Sequence, residues 1–130
     1  MILKMDMTSA VPIYVQLRNQ IVMGIGRGEL VKGQGLPTVR QMAQELGVNM
    51  MTVTKAYTLL RNEGFIEIDR RHGAKISPVT QPDTKFREKL EHELELLIAE
   101  SQIKGISGED FAQLCEKLYK SMNGFQPAEG

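Results

Sequence analysis

Apolar residues recur along this chain with two different periods, and the changes of period mark out its elements. Ile13, Leu17, Ile21 and Ile25 fall every four residues, flanked by Tyr14 and Val22. That stripe predicts an amphipathic helix ending near Gly26 or Gly28. Pro12 suits its first turn, with Ser9 or Ala10 as cap positions, and residues 1–10 read as a short arm. The segment from Leu30 to Pro37 carries two glycines and a proline and reads as a loop. Val39, Met42, Ala43 and Leu46 form the apolar face of a second helix. Thr38 with Gln41 makes a capping-box pattern at its start, and Gly47 stands where a left-handed cap would end it. Asn49 is an N-cap for a third helix whose inner face is Val53, Ala56, Tyr57 and Leu60, with Gly64 as its stop. The period then drops to two. Phe65-Ile66-Glu67-Ile68-Asp69 alternates like a strand, and Ala74-Lys75-Ile76-Ser77 returns after a His72-Gly73 turn.

Pro78 and Pro82 bracket a linker, and beyond it the helical period resumes. Phe86, Leu90, Leu94, Leu97 and Ile98 lie on one stripe among Glu88, Glu91, Glu93 and Glu95. Gly105 and Gly108 break this helix, and Ser107 with Asp110 offers another capping box. Phe111, Leu114, Cys115, Leu118 and Met122 then give the i, i+3, i+4, i+7 spacing of a last helix, followed by a tail that reads as frayed beyond Gly124. The fold class expected is mainly α with a small β-hairpin wing: a winged helix-turn-helix over residues 1–79, then a short two-helix region over 80–130.

Composition is that of an ordinary soluble domain, with 42% hydrophobic and 25% charged residues, and the net charge is zero. Charge is unevenly distributed: residues 1–80 carry a net +4 and residues 81–130 a net −4. A basic first part is compatible with phosphate contacts. The single cysteine, Cys115, excludes an intrachain disulfide. No signal-peptide pattern or membrane-length apolar run is present, so a cytoplasmic protein is expected.

The chemistry concentrates between Leu36 and Gly73. Helices joined by only Gly47-Val48-Asn49 must meet steeply, which projects the start of the second one outward. Its outward residues are Asn49, Met51, Thr52, Thr54 and Lys55. The hydroxyls and amide suit phosphates or base edges, and Lys55 suits a phosphate. Arg40 lies in the first turn of the preceding helix, where a cation opposes the helix dipole. A DNA phosphate or guanine edge would compensate for this placement; a salt bridge to Glu45 or Glu63 is the competing explanation. Arg70-Arg71-His72-Gly73 puts cations at a hairpin tip, able to lie along the minor groove or adjacent backbone. With Thr38 at the head of the second helix, these residues are the expected DNA-binding set.

These pieces, in this order, resemble the GntR family of bacterial winged-helix transcriptional regulators. The resemblance is carried by Pro12-Ile13-Tyr14, Leu36-Pro37-Thr38-Val39-Arg40, Glu45-Leu46-Gly47-Val48, Thr52-Val53-Thr54-Lys55-Ala56-Tyr57, Glu63-Gly64-Phe65-Ile66 and His72-Gly73. It covers about half of the chain. The short helical tail, together with Asn49 and the Thr52–Tyr57 run, is similar to the YtrA subfamily. The resemblance implies that Arg40 and the Asn49–Lys55 face read the major groove, that His72-Gly73 is the wing contact, and that the tail mainly dimerises. The chain departs from the family pattern at Met50, where arginine or proline is usual, at Met51, where a small polar residue is usual, and at Lys32, where proline is usual. Met50 cannot hydrogen-bond a guanine, so a base contact there is lost or becomes an apolar contact with a thymine methyl.

The two tail stripes are too apolar for two short helices to hide alone. Phe86, Leu90, Leu94, Leu97, Ile98, Phe111, Leu114, Leu118 and Met122 are therefore the expected homodimer interface, and a two-fold dimer matches a palindromic operator. Packing back onto the first domain is the alternative. Enzyme classes find little support: His72, His92 and Cys115 stand alone, and no catalytic or phosphate-cradling motif occurs. His92 beside Glu88, Glu93 and Glu95 reads as a solvated face rather than a metal site. The stronger rival is a winged helix that binds protein and has lost DNA binding, with Met50 and Met51 as contact surface. The expected function is sequence-specific transcriptional regulation, as a dimeric repressor of double-stranded operator DNA, with no cofactor and no metal. A small-molecule effector is left open.

Overall fold

The computed structural model describes residues 3–78, 80–81 and 83–125. The described chain contains five helices and one hairpin: α1 (Ile13–Gly26), α2 (Val39–Leu46), α3 (Met50–Asn62), β1 (Ile66–Asp69), β2 (Gly73–Ile76), α4 (Thr84–Ile103) and α5 (Gly108–Ser121). It divides into two units. One runs to residue 78 and takes in Gly124 and Phe125; the other comprises Thr80 to Asn123.

In the first unit the apolar stripes meet. Leu17 and Ile21 of α1, Met42 of α2, Val53 and Leu60 of α3 and Ile76 of β2 are essentially inaccessible to solvent, with Ala43, Ala56, Tyr57, Ile66 and Ala74 filling the space between them. Full burial of each large side chain contributes about 1.5–3 kcal/mol against the entropy of ordering the chain. α3 packs on both α1 and α2, which places it at the centre of the unit.

Local rules set the ends of these elements. The α2 capping box is complete: the Thr38 hydroxyl accepts from Gln41 N (3.1 Å) and Gln41 Oε1 accepts from Thr38 N (3.0 Å). Gly47 closes α2 at φ +67°, in the left-handed region. α1 differs from expectation. Its cap is Pro12 itself, without a side-chain hydrogen bond, while the Ser9 hydroxyl accepts from Val11 N outside the helix.

β1 and β2 pair antiparallel, with Ile66 opposite Ile76 and Asp69 opposite Gly73. The segment expected to be plain loop does more than connect. Gly33 N donates to Ile76 O (2.7 Å), Ile76 N to Gln34 O (2.8 Å) and Leu36 N to Ala74 O (2.8 Å). Residues 33–36 thus cover the second edge of β2, and the isolated bridge Gly35–Lys75 lies within this pairing. The sequence hid it because two glycines and a proline carry no alternation to read. The arm is also fastened. Gln16 accepts from Asp6 N and donates to the Asp6 and Val11 carbonyls, Gln20 accepts from Lys4 N, and Leu3 and Met5 pack on the core.

In the second unit, Asp83 caps α4 by accepting from Phe86 N (2.6 Å), and Ser107 caps α5 by accepting from Asp110 N (3.1 Å). Only this half of the expected second capping box forms; an aspartate is shorter than the glutamate that normally reaches back. Gly105 (φ +90°) lies just past the C-cap of α4, whereas Gly108 is the first residue of α5 rather than a breaker. α4 and α5 pack on each other, yet neither contains a buried residue. Leu94, Phe111, Cys115 and Met122 are half-buried, while Phe86, Leu90, Leu97, Ile98, Leu114 and Leu118 remain 45–53% exposed.

The expected fraying after Gly124 does not begin at once: Phe125 is half-buried against the core of the first unit, where an aromatic ring has area to gain. Residues 126–130 and Pro82, the second bracket of the expected linker, lie outside the described residues.

Candidate nucleic-acid interface

Asn49 shows how the third helix is launched. Its amide oxygen accepts from Met51 N at 2.7 Å, the ordinary work of an N-cap, which leaves the amide NH2 group as its donor toward a ligand. Behind it, Val53, Ala56, Tyr57 and Leu60 are buried and hold the helix rigidly. Burial pushes the Tyr57 hydroxyl up, with Glu45 adding to the effect, so the group stays a neutral donor; it donates to Pro37 O at 2.7 Å. This bond ties α3 to the residue before the α2 cap. Met50, Met51, Thr54 and Lys55 are exposed on the outside, and Thr52 is half-buried.

Lys55 has a neighbour that the sequence did not suggest. Its Nζ lies 5.6 Å from the centre of the Tyr14 ring, a cation–π contact linking α3 to the first turn of α1. The contact restrains the ammonium group beside the ring and involves no acidic partner. Only the i, i+4 habit of helices is visible in sequence, so a contact across more than forty residues of chain was out of reach.

Arg40 is exposed at the second position of α2 and makes no ion pair among the described residues. Of the two acids that could have claimed it, Glu63 is taken by Arg18 in a two-pronged pair (Nε–Oε1 2.9 Å, Nη2–Oε2 3.0 Å), with the guanidinium also stacked 5.4 Å from the Phe65 ring centre. Thr38 is exposed just before Arg40; its oxygen accepts within the capping box, and its O–H remains able to donate.

At the wing tip the organising residue is Asp69, absent from the expected set. One carboxylate oxygen accepts from Arg71 N (2.7 Å), and the other accepts from His72 Nδ1 (2.9 Å). The His72 ring and the Arg71 amide hold this carboxyl below the usual carboxylate range. Gly73 completes the turn at φ +71°. The arrangement leaves the Arg70 and Arg71 side chains exposed at the tip, with the His72 ring held by its Nδ1. The signal was available: an aspartate opening a tight turn commonly accepts from the backbone two residues on. Below the tip, Lys75 pairs with Glu67 across the hairpin at 3.6 Å.

Among the described residues no group of three or more histidine, cysteine, aspartate or glutamate side chains could hold a metal ion, and no helix is long and apolar enough to cross a membrane.

Three packed helices with a short α2–α3 turn, followed by a hairpin with a cationic tip, define a winged helix-turn-helix protein with a C-terminal helical pair. Residues 13–76 match the family described as bacterial regulatory proteins, gntR family. Over 125 residues the chain is 30% identical to the HTH-type transcriptional repressor YtrA of Bacillus subtilis, an alignment covering 94% of this chain and 95% of that one. It is 40% identical over 75 residues to an HTH-type transcriptional regulator of Mycobacterium tuberculosis, covering 58% of this chain and 62% of the relative. The chain therefore belongs to the GntR family, on its YtrA-like branch. These relatives are named as regulators of transcription rather than as enzymes.

Solved structures agree on the fold. The crystal structure of a protein titled transcriptional antiterminator from Listeria monocytogenes superposes with TM-score 0.85 at 25% identity, covering 100% of this chain and 98% of that one. YtrA from Sulfolobus acidocaldarius, titled a GntR-family transcription factor, gives TM-score 0.64 at 40% identity over 76% of this chain and 99% of that one. The DNA-binding domain of AraR in complex with operator ORX1 gives TM-score 0.52 at 26% identity over 58% of this chain and 93% of that one.

Proposed function

We propose that this protein is a dimeric transcriptional repressor that binds a palindromic DNA operator through α3 and the wing. The observation that carries the reading is the exposed cation set on the first unit. Arg40, Lys55, Arg70 and Arg71 all face solvent on the helix-turn-helix and the wing, with no acidic partner among the described residues. A row of unneutralised charges on a helix-turn-helix and its wing suits a phosphate backbone. In this reading α3 enters the major groove, Asn49, Met51, Thr52 and Thr54 meet base edges or sugar-phosphate, Thr38 and Arg40 flank them, and Arg70, Arg71, His72 and Gly73 hold the neighbouring backbone. Operator-bound AraR and the repressor YtrA support this assignment.

Dimerisation supplies the second half of the operator. The exposed stripe of α4 and α5 (Phe86, Leu90, Leu97, Ile98, Leu114, Leu118), with half-buried Leu94, Phe111 and Met122 beside it, takes the same surface of a second chain. Two linked readers raise each other's effective concentration, and repression follows by exclusion of polymerase from the occupied site.

Fluorescence anisotropy with the DNA upstream of the protein's own gene, against a random duplex at two salt concentrations, tests the reading. Saturable binding that exceeds the control at the higher salt is the expected result. Equal weak binding to both, lost with salt, would overturn it in favour of a winged helix that binds another protein.

A further inference from the structure

The head of α3 presents an unusual chemistry for a surface that reads bases. At about 100° per residue, Met51 lies opposite the buried stripe of Val53, Ala56, Tyr57 and Leu60, at the centre of the outward face. It is 69% exposed, and Met50 beside it is 45% exposed. Of the polar groups around them, Thr54 is exposed and the others are constrained. The Asn49 amide oxygen is engaged with Met51 N, Thr52 is half-buried, and Lys55 is drawn toward the Tyr14 ring one turn further on. The foremost outward position of the helix is thus a thioether, which has no donor and only a weak acceptor.

We propose that Met51, supported by Met50, is a specificity-determining residue that takes the C5-methyl group of a thymine, so that each operator half-site carries a T·A pair beneath the first turn of α3. This rests on the DNA-binding reading above. The N-terminal residues of a recognition helix are the ones that reach base edges. In the major groove, the edges of guanine, adenine and cytosine offer only hydrogen-bonding groups, and the thymine methyl is the one apolar feature. A thioether pressed on guanine O6 or cytosine N4 would strip those groups of water and return no hydrogen bond. Against a methyl it buries apolar area on both sides. Methionine, unbranched and polarizable, adjusts to the shape of that contact.

The test begins with the full-length protein and a pool of duplexes with a randomised core, selected by binding to give a consensus half-site. Each thymine of the selected duplex is then replaced singly by deoxyuridine, which removes the methyl and nothing else. One position in each half-site is expected to lose affinity by about fourfold, the effect of one buried methyl group. Met51→Ala should bind the thymine and deoxyuridine duplexes with nearly equal affinity at that position. Its thermal unfolding should match that of the parent, since the side chain is exposed. A consensus without thymine, equal affinity for all deoxyuridine duplexes, or discrimination that survives in Met51→Ala would each overturn the proposal while leaving specific DNA binding intact. A pool that yields no consensus would instead overturn the DNA-binding reading itself.

Discussion

Arg40 and Lys55 are both exposed cations, but they differ in what holds them. Arg40 has no acidic partner among the described residues and sits where the helix dipole is unfavourable to it, whereas Lys55 rests against the Tyr14 ring. A planar guanidinium with five donors can read a guanine edge, and a lysine restrained beside an aromatic ring serves as a point charge for phosphate. Arg40→Ala is therefore expected to lower affinity for the selected operator by about 1–3 kcal/mol and to affect a random duplex much less. Lys55→Ala should weaken both duplexes to similar degrees and reduce the slope of log affinity against log salt by about 1. Anisotropy titrations across a salt series separate the two; equal losses on both duplexes for Arg40→Ala would show that it contacts phosphate.

Asp69 belongs to the same scale, because one carboxylate shapes the wing tip. Its carboxyl is held below the usual range in the folded protein, so its contribution is fully present above the ordinary aspartate value of about 3.9 and is lost as pH falls through the lower folded value. The Arg71 amide signal in NMR should accordingly shift with a midpoint below that ordinary value, and Asp69→Asn should abolish the transition. An Arg71 transition that persisted in Asp69→Asn would mean that the carboxylate does not hold the amide.

Among the elements, the helix-turn-helix depends on one residue that carries no side chain. Gly47 has φ +67°, and a Cβ built there would meet nothing within 4 Å. The cost of Gly47→Ala is thus a backbone cost alone, about 1–2 kcal/mol, and Gly47→Asn should cost less because asparagine visits the left-handed region more readily. Urea unfolding at constant m-value measures both. The caps and periods of α2 and α3 were legible in the sequence because each is decided within four residues: Thr38 with Gln41, Gly47, and Asn49 with the helix it starts. The pairing of residues 33–36 with β2 was not legible. Its hydrogen bonds join backbone groups some forty residues apart, and backbone groups leave no mark in sequence.

For the whole molecule the open question of energetics is the apolar surface of α4 and α5. Within one chain these helices bury no residue, and nine of their large apolar side chains are 45–84% exposed. A surface of that kind is stabilised by a partner with a complementary stripe, and a second copy has one by symmetry. Leu94→Asp combined with Leu118→Asp is expected to give monomers at micromolar concentration in sedimentation equilibrium, with helix content retained. It should also weaken operator binding without changing the half-site preference. A dimer that persisted would place the interface elsewhere.

The local pattern of the chain sets its elements, their order, the inward faces and the family, because periodicity, caps and turn residues act over a few positions and need no knowledge of the rest of the chain. It also named the exposed cations and hydroxyls of the first unit. How those residues are held emerges in the folded chain: Arg18 claims Glu63, Tyr14 restrains Lys55, Tyr57 fixes the start of α2, and residues 33–36 brace the wing. Each of these contacts depends on which distant segments the core brings together. That is set by packing in three dimensions rather than by neighbours along the chain.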